Sequence, residues 1–189
     1  FNGDGKADVA RKFGVTLTIM YSPVQTAQMP SPIPDLLVWS KNPIGGQTWI
    51  AYTPSSSSRF KNINLPFVQQ TVRSVKQWDG VGPQAQTTFS YTGGRWDASE
   101  RRFLGFGKAF VVRPATSTGN LNRPGVEYEF KQSLASAGKV KTIRYYAGPS
   151  NQTTLLREER ETYAESSSLP YRSVNASSTD VLFYQGNAR

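Results

Sequence analysis

Phe67-Val-Gln-Gln-Thr-Val-Arg-Ser-Val75 is followed by Asp79-Gly80-Val81-Gly82 and then by Ala85-Gln-Thr-Thr-Phe-Ser-Tyr91. Both outer runs are rich in β-branched and aromatic side chains, which suit a pleated, half-buried surface. The glycines beside aspartate permit the positive backbone angles of a tight turn. The three pieces together predict a β-hairpin.

Working outward, the same grammar repeats. Upstream, Asp35-Leu-Leu-Val-Trp-Ser40 and Gln47-Thr-Trp-Ile-Ala-Tyr52 flank Asn42-Pro-Ile-Gly-Gly46, a second hairpin signal. Val15 to Tyr21 alternates with period two and reads as a strand. Between them Pro23, Pro30, Pro32 and Pro34 break any regular element and mark a linker. Ser55 to Ser58 reads as a low-complexity turn or an exposed loop. Downstream, Phe103 to Val112 is a strand candidate, and the loop Thr116 to Pro124 leads to a second β-series. That series is Val126 to Phe130, Lys139 to Tyr145, Leu155 to Tyr163 and Asp180 to Tyr184. A helix competes only at Leu155-Leu-Arg-Glu-Glu-Arg-Glu161, whose charges could pair at i,i+3 and i,i+4, but Thr162 and Tyr163 favour strand. The expected fold is mainly β, with antiparallel hairpins forming a sandwich, barrel or wrapped sheet and few or no helices.

Composition narrows the chemistry. The absence of cysteine excludes disulfides, thiolate metal sites and cysteine nucleophiles, and the absence of histidine removes the usual general base and transition-metal ligand. Triad hydrolysis and zinc catalysis of the usual kinds are thereby excluded. The 22 Lys and Arg against 13 Asp and Glu give +9, but the basic residues are dispersed. Arg73 and Lys76, or Lys139 and Lys141, alternate with other residues as on solvated strand faces, so a nucleic-acid partner is not expected. No stretch approaches the ~18–20 consecutive apolar residues of a membrane helix. The chain opens at Phe1 inside a motif, which suggests a piece of a longer protein.

Three groups of residues invite a functional reading. In Asn2-Gly3-Asp4-Gly5-Lys6-Ala7-Asp8, oxygen donors on alternate residues and turn-forming glycines describe part of a calcium loop, with side chains from Asn2, Asp4 and Asp8 and the Lys6 carbonyl as ligands to Ca2+. An Asn-Gly, Asp-Gly turn is the simpler alternative. In the centre, Gly93, Gly94, Trp96 and Asp97 precede Glu100-Arg101-Arg102-Phe103-Leu104-Gly105-Phe106-Gly107. Asp97 and Glu100 could form an acid and base pair. The glycines and phenylalanines argue instead for a structural turn, with Phe103 and Phe106 entering a core. Finally, Trp39, Trp49, Trp78 and Trp96 could offer sugar-stacking platforms or pack as pairs, and Trp39 and Trp49 fall on facing strands of one predicted hairpin.

The ordered set Pro43 to Pro54, Leu65 to Val68 with Thr71-Val72, Thr87 to Gly94 and the signature Glu100 to Gly107 resembles the middle region of the B components of bacterial insecticidal toxin complexes. It is similar also to related SpvB-like secreted proteins that carry VCBS and RHS (YD) repeats. The resemblance implies three parts: residues 1–12, the end of an FG-GAP/VCBS propeller with its calcium loop; 13–115, a β-rich middle module; and 116–189, a second β-rich segment leading toward RHS-like repeats. It implies a non-enzymatic scaffold contributing to the shell that encloses or delivers a C-terminal toxin, with catalysis in a domain outside this chain. Its partners would be the neighbouring propeller and RHS-repeat domains and a pore-forming toxin component, in a secreted or extracellular setting. The alternative is an extracellular β-type binding module for carbohydrate or polyanion.

Overall fold

Two turns show how the sequence sets the ladders. Asp79 Oδ1 accepts the N–H groups of Val81 (2.9 Å) and Gly82 (2.8 Å), while Gly80 takes φ +98°. Asn42 does the same work upstream, its Oδ1 accepting Gly46 N–H at 2.7 Å while Gly45 takes φ +98°. An aspartate or asparagine side chain that imitates a backbone turn, with glycine in the left-handed position, reverses the chain without strain.

The structure, a computed structural model, describes residues 9–20, 36–57, 65–115, 123–148, 154–166 and 172–184. Thirteen strands lie among them: β1 Val9–Phe13, β2 Thr16–Met20, β3 Trp39–Lys41, β4 Gln47–Pro54, β5 Gln70–Trp78, β6 Ala85–Thr92, β7 Trp96–Asp97, β8 Arg102–Phe103, β9 Lys108–Val112, β10 Gly125–Phe130, β11 Val140–Tyr146, β12 Leu155–Ser166 and β13 Ser173–Phe183. Nine of them form one sheet in the order β13-β12-β11-β10-β9-β6-β5-β4-β3, with every ladder antiparallel. β1 pairs with β2, and β7 with β8, as separate two-stranded ribbons. The mainly antiparallel-β expectation holds, and the contested stretch at Leu155 is strand. Among the described residues the architecture is a single open sheet: no second nine-stranded layer faces it, and no ladder closes β13 on β3.

Register assigns the side chains to two faces, because cross-strand partners share a face and alternate residues change it. One face carries Ile50, Val75, Phe89, Val111, Val126 and Ile143 from β4 to β11. This is the apolar face, and Val126 at its centre is buried. The other carries Trp49, Lys76, Lys108, Glu127, Arg144 and Glu158. On that polar face Phe110 lies across Gly125, where an added Cβ would meet its ring at 2.7 Å, and reaches Tyr146 at 6.2 Å between centroids.

Several boundaries differ from the sequence reading. Strand β5 starts at Gln70 rather than Phe67, because the Phe67 ring turns away to meet Trp96 and Phe103. The run Phe103 to Val112 is two strands, since Gly105 at φ +86° breaks it between β8 and β9. Of the two readings of Ser55 to Ser58, the turn holds at Ser55 and Ser56, and Ser55 is buried: its N–H donates to Gln69 O and its Oγ accepts Gln69 N–H, prolonging the β4–β5 ladder past Pro54. β1 pairs residue for residue with β2. Asn2, Asp4, Lys6 and Asp8 lie outside the described residues.

Candidate functional site

The central signature folds into the β7–β8 hairpin and the crossing that follows it. Trp96 pairs with Phe103 and Asp97 with Arg102, and the ribbon continues through Leu104 N–H to Arg95 O at 2.9 Å and Arg95 N–H to Gly105 O at 3.1 Å. Its turn is closed by Asp97, whose Oδ1 accepts from Ser99 Oγ (2.6 Å) and from Glu100 N–H (2.8 Å). Arg101, in that turn, holds φ 50°, a conformation that an L side chain pays for. The hairpin lies against the sheet through a chain of rings: Tyr91 on β6 to Phe106 (5.2 Å), Phe106 to Phe103 (5.5 Å), Phe103 to Phe67 (5.4 Å) and Phe67 to Trp96 (5.4 Å), three of these contacts edge-on. Phe103 and Phe106 are half-buried in this cluster, and the fully buried signature residue is Leu104, 2% exposed.

The glycines fix how close the crossing lies. Gly107 N–H is shared by Thr92 O and Gly93 O, both at 3.0 Å, and Gly107 O accepts Phe130 N–H from β10 at 2.9 Å. Gly93, at φ +68°, has its Cβ direction 3.6 Å from the Gly107 backbone. Across this junction Gln132 Nε2 donates to Gly93 O at 2.7 Å and to Gly105 O at 2.8 Å. Gln132 escaped the sequence reading because nothing about a lone glutamine after β10 marks it as a clamp. Its signal is spatial only: two carbonyls 12 residues apart converge on one amide.

A cavity of about 540 Å³ opens beside the clamp, lined by Arg95, Asp97, Leu104, Glu129, Gln132 and Lys141 among others. Its carboxylates are already engaged. The hydrogen bonds from Ser99 and Glu100 N–H hold Asp97 below the usual carboxylate range, and the Lys141 bond (2.6 Å) does the same for Glu129. Such groups stay ionised near neutral pH and make poor general acids. Glu100, the proposed partner of Asp97, instead meets Arg172 at 2.5 Å, tying the hairpin turn to the start of β13. The sequence-level acid and base pair is thus two separate structural contacts.

On the polar face, β9 to β12 carry a continuous ion-pair ladder. Lys108 lies 3.6 Å from Glu127, Arg144 lies 2.7 Å from Glu127, 3.5 Å from Glu129 and 3.4 Å from Glu158, and Arg160 lies 2.5 Å from Glu158. Burial alone would raise the Glu158 pKa, but the Arg160 hydrogen bond and the charges of Arg144 and Arg160 outweigh it and leave it lowered. No group of three or more metal-ligating side chains occurs among the described residues.

The four tryptophans separate. Trp96 belongs to the aromatic cluster under the hairpin. Trp39 and Trp49 are direct register partners, and Trp49 in turn faces Lys76 on β5, two residues before Trp78. Trp39, Trp49 and Trp78 therefore share the polar face at the β3 end of the sheet.

The β7–β8 hairpin and the Gly93–Gly107 crossing sit within a region that matches one family model, whereas Gln132 lies beyond it. Residues 1–123 match the insecticide toxin TcdB middle/N-terminal region. The chain belongs to this TcdB family. Solved structures similar to the TcdB-type segment include that of TcdB2-TccC3 without its hypervariable C-terminal region, at 13% identity and a TM-score of 0.61, covering 76% of this chain and 10% of that one. The Photorhabdus luminescens Tc holotoxin pore gives 14% identity and a TM-score of 0.62, covering 75% and 10%. TcdB2-TccC3-Cdc42 gives 13% and 0.60, covering 75% and 10%. At these identities the likeness is one of fold, and the TcdB-type segment spans about a tenth of the length of those chains. No curated protein sequence matches it. Among the described residues no helix is long and apolar enough to cross a membrane.

Proposed function

We propose that this TcdB-type segment is a non-enzymatic structural module of a secreted toxin-complex protein, forming part of the wall of a shell that encloses or delivers a C-terminal toxin segment. One observation carries the reading: a single-layered sheet with an apolar face across β4 to β11 that the β7–β8 hairpin covers only in part, so that Ile50, Val75, Phe89 and Val111 stay half-buried. A sheet with one apolar face is stable when that face is packed against something, and a wall facing a lumen or a neighbouring domain meets that need. Among the described residues no further strand pairs with β3 or β13 at the sheet's edges, which suits continuation into flanking strands of a longer chain. The propeller and RHS-repeat domains are the neighbours this reading expects.

The test is made in the full-length parent. Val126→Asp places a charge at the buried centre of the apolar face. Protease should then digest a C-terminal segment that the unmodified protein shields. Continued shielding, with the sheet shown to be disrupted by loss of amide protection in β10 and β11, would overturn the wall assignment.

A further inference from the structure

The two halves of the polar face differ in charge balance. From β9 to β12 each named cation faces a carboxylate, as in Lys108 with Glu127 or Arg160 with Glu158. From β3 to β6 the same face presents Trp39, Lys41, Gln47, Trp49, Lys76 and Trp78, with no acidic residue on these strands' polar face. Lys41 and Lys76 are exposed and have no ion-pair partner among the described residues. The nearest carboxylate in sequence, Asp79, is held by the Val81 and Gly82 N–H groups of its turn.

We propose that this patch binds an anionic polysaccharide, a chain of sugar rings bearing sulfate or carboxylate groups. The indoles of Trp39 and Trp49 sit on directly paired residues, and Trp39 is 47% exposed. Indole faces take the C–H faces of sugar rings, and the two unpaired ammonium groups supply the complementary charge. Gln47 Oε1 accepts Trp39 Nε1–H at 3.3 Å, which directs the glutamine NH2 outward as a donor for a hydroxyl. Trp78 is anchored by its Nε1–H to Gly82 O at 2.9 Å, which fixes the third indole beside Gln47 on the neighbouring strand. Bases also stack on exposed indole faces, so single-stranded nucleic acid is the competing occupant, and a thymidine probe separates the two.

The experiment uses the 189-residue chain with three probes: heparin, neutral dextran of similar length and a thymidine homopolymer, read by tryptophan fluorescence and calorimetry at several salt concentrations. Heparin should bind, dextran should bind much more weakly, and Trp39→Ala should weaken heparin binding about tenfold. The double variant Lys41→Gln/Lys76→Gln should weaken it too and flatten its salt dependence, whereas Lys139→Gln, an exposed lysine elsewhere, should leave it unchanged. Trp39 is on an edge strand and the lysines are exposed, so the fold should survive, and a retained urea midpoint shows that it has. Three results overturn the proposal: no heparin binding at low salt; heparin binding equally insensitive to all variants, which marks it as a response to the net +9 charge; or tighter binding of the thymidine homopolymer through the same residues.

Discussion

If Gln132 is the clamp that fixes the signature crossing, removing it and crowding it must be two versions of one perturbation. Gln132→Ala deletes two hydrogen bonds, to Gly93 O and Gly105 O. Each is worth about 0.5–1.5 kcal/mol net, and an orphaned buried carbonyl would add a further penalty. That penalty is not incurred, because Gly93 O keeps Gly107 N–H and Gly105 O keeps Arg95 N–H. The expected loss is therefore about 2 kcal/mol. Gly107→Ala places a Cβ 3.1 Å from Gln132 Oε1 and 3.3 Å from Gly93 O, tighter than ordinary contact, with no positive φ to add strain. The softest response is for Gln132 to swing away, forfeiting the same two bonds. Alone, Gly107→Ala should then cost about 1–3 kcal/mol. Combined with Gln132→Ala it should cost much less than the sum, with a coupling of at least about 1 kcal/mol. Urea unfolding midpoints of the four proteins in the cycle measure this. Losses that add to within about 0.5 kcal/mol would refute the clamp.

Other outcomes follow from the same geometry. Leu104→Ala should destabilise by about 2–5 kcal/mol, more than Phe103→Ala or Phe106→Ala, whose rings are only half-buried; thermal melts of the three give the order. Arg101→Gly should raise the melting temperature, since a left-handed L residue costs about 1–2 kcal/mol and glycine's greater unfolded-state entropy returns part of that. The Lys141 bond at Glu129, and Arg160 and Arg144 at Glu158, hold both carboxyls below the ordinary glutamate range, so the stability they add is present above that range and is lost as pH falls through the folded values. Unfolding free energy should drop on acidification below about pH 5, and Glu158→Gln should shrink that drop; an unchanged pH profile in the variant would dismiss the ladder as its source.

How far the sequence could be read varied by element. Period-two alternation and Asx-glycine turns act locally, so the two quoted hairpins and the strands at Val126, Lys139 and Leu155 were legible. The strand at Asp180 was seen only at its end, because Ser173 to Thr179 has just Val174 and small Ala176 as apolar residues, and Ser177-Ser178-Thr179 ends that alternation. The break in Phe103 to Val112 was hidden because seven of its residues are apolar or aromatic around two glycines, a composition that also suits a buried strand. Whether nine strands form one layer or two depends on what meets the apolar face, and a hydrophobic pattern records that a side is buried, not against what. At the candidate site, glycine and phenylalanine announced a packed turn, whereas Gln132, Ser99 and Arg172 entered only through distances. The facing of Trp39 and Trp49 was readable from turn length; their joining with Lys41 and Lys76 on an acid-free surface needed the register of three strands.

The order of the nine strands also bears on how such a chain comes into being. Each ladder joins strands consecutive in sequence, save β6 with β9, which skip only the small β7–β8 ribbon. Each closure is therefore short, and loop entropy grows slowly with the residues enclosed. A strand emerging from the ribosome finds its partner already made and never waits for one still unsynthesised. A long wall built by this rule can be laid down in the direction of translation, one course upon the last.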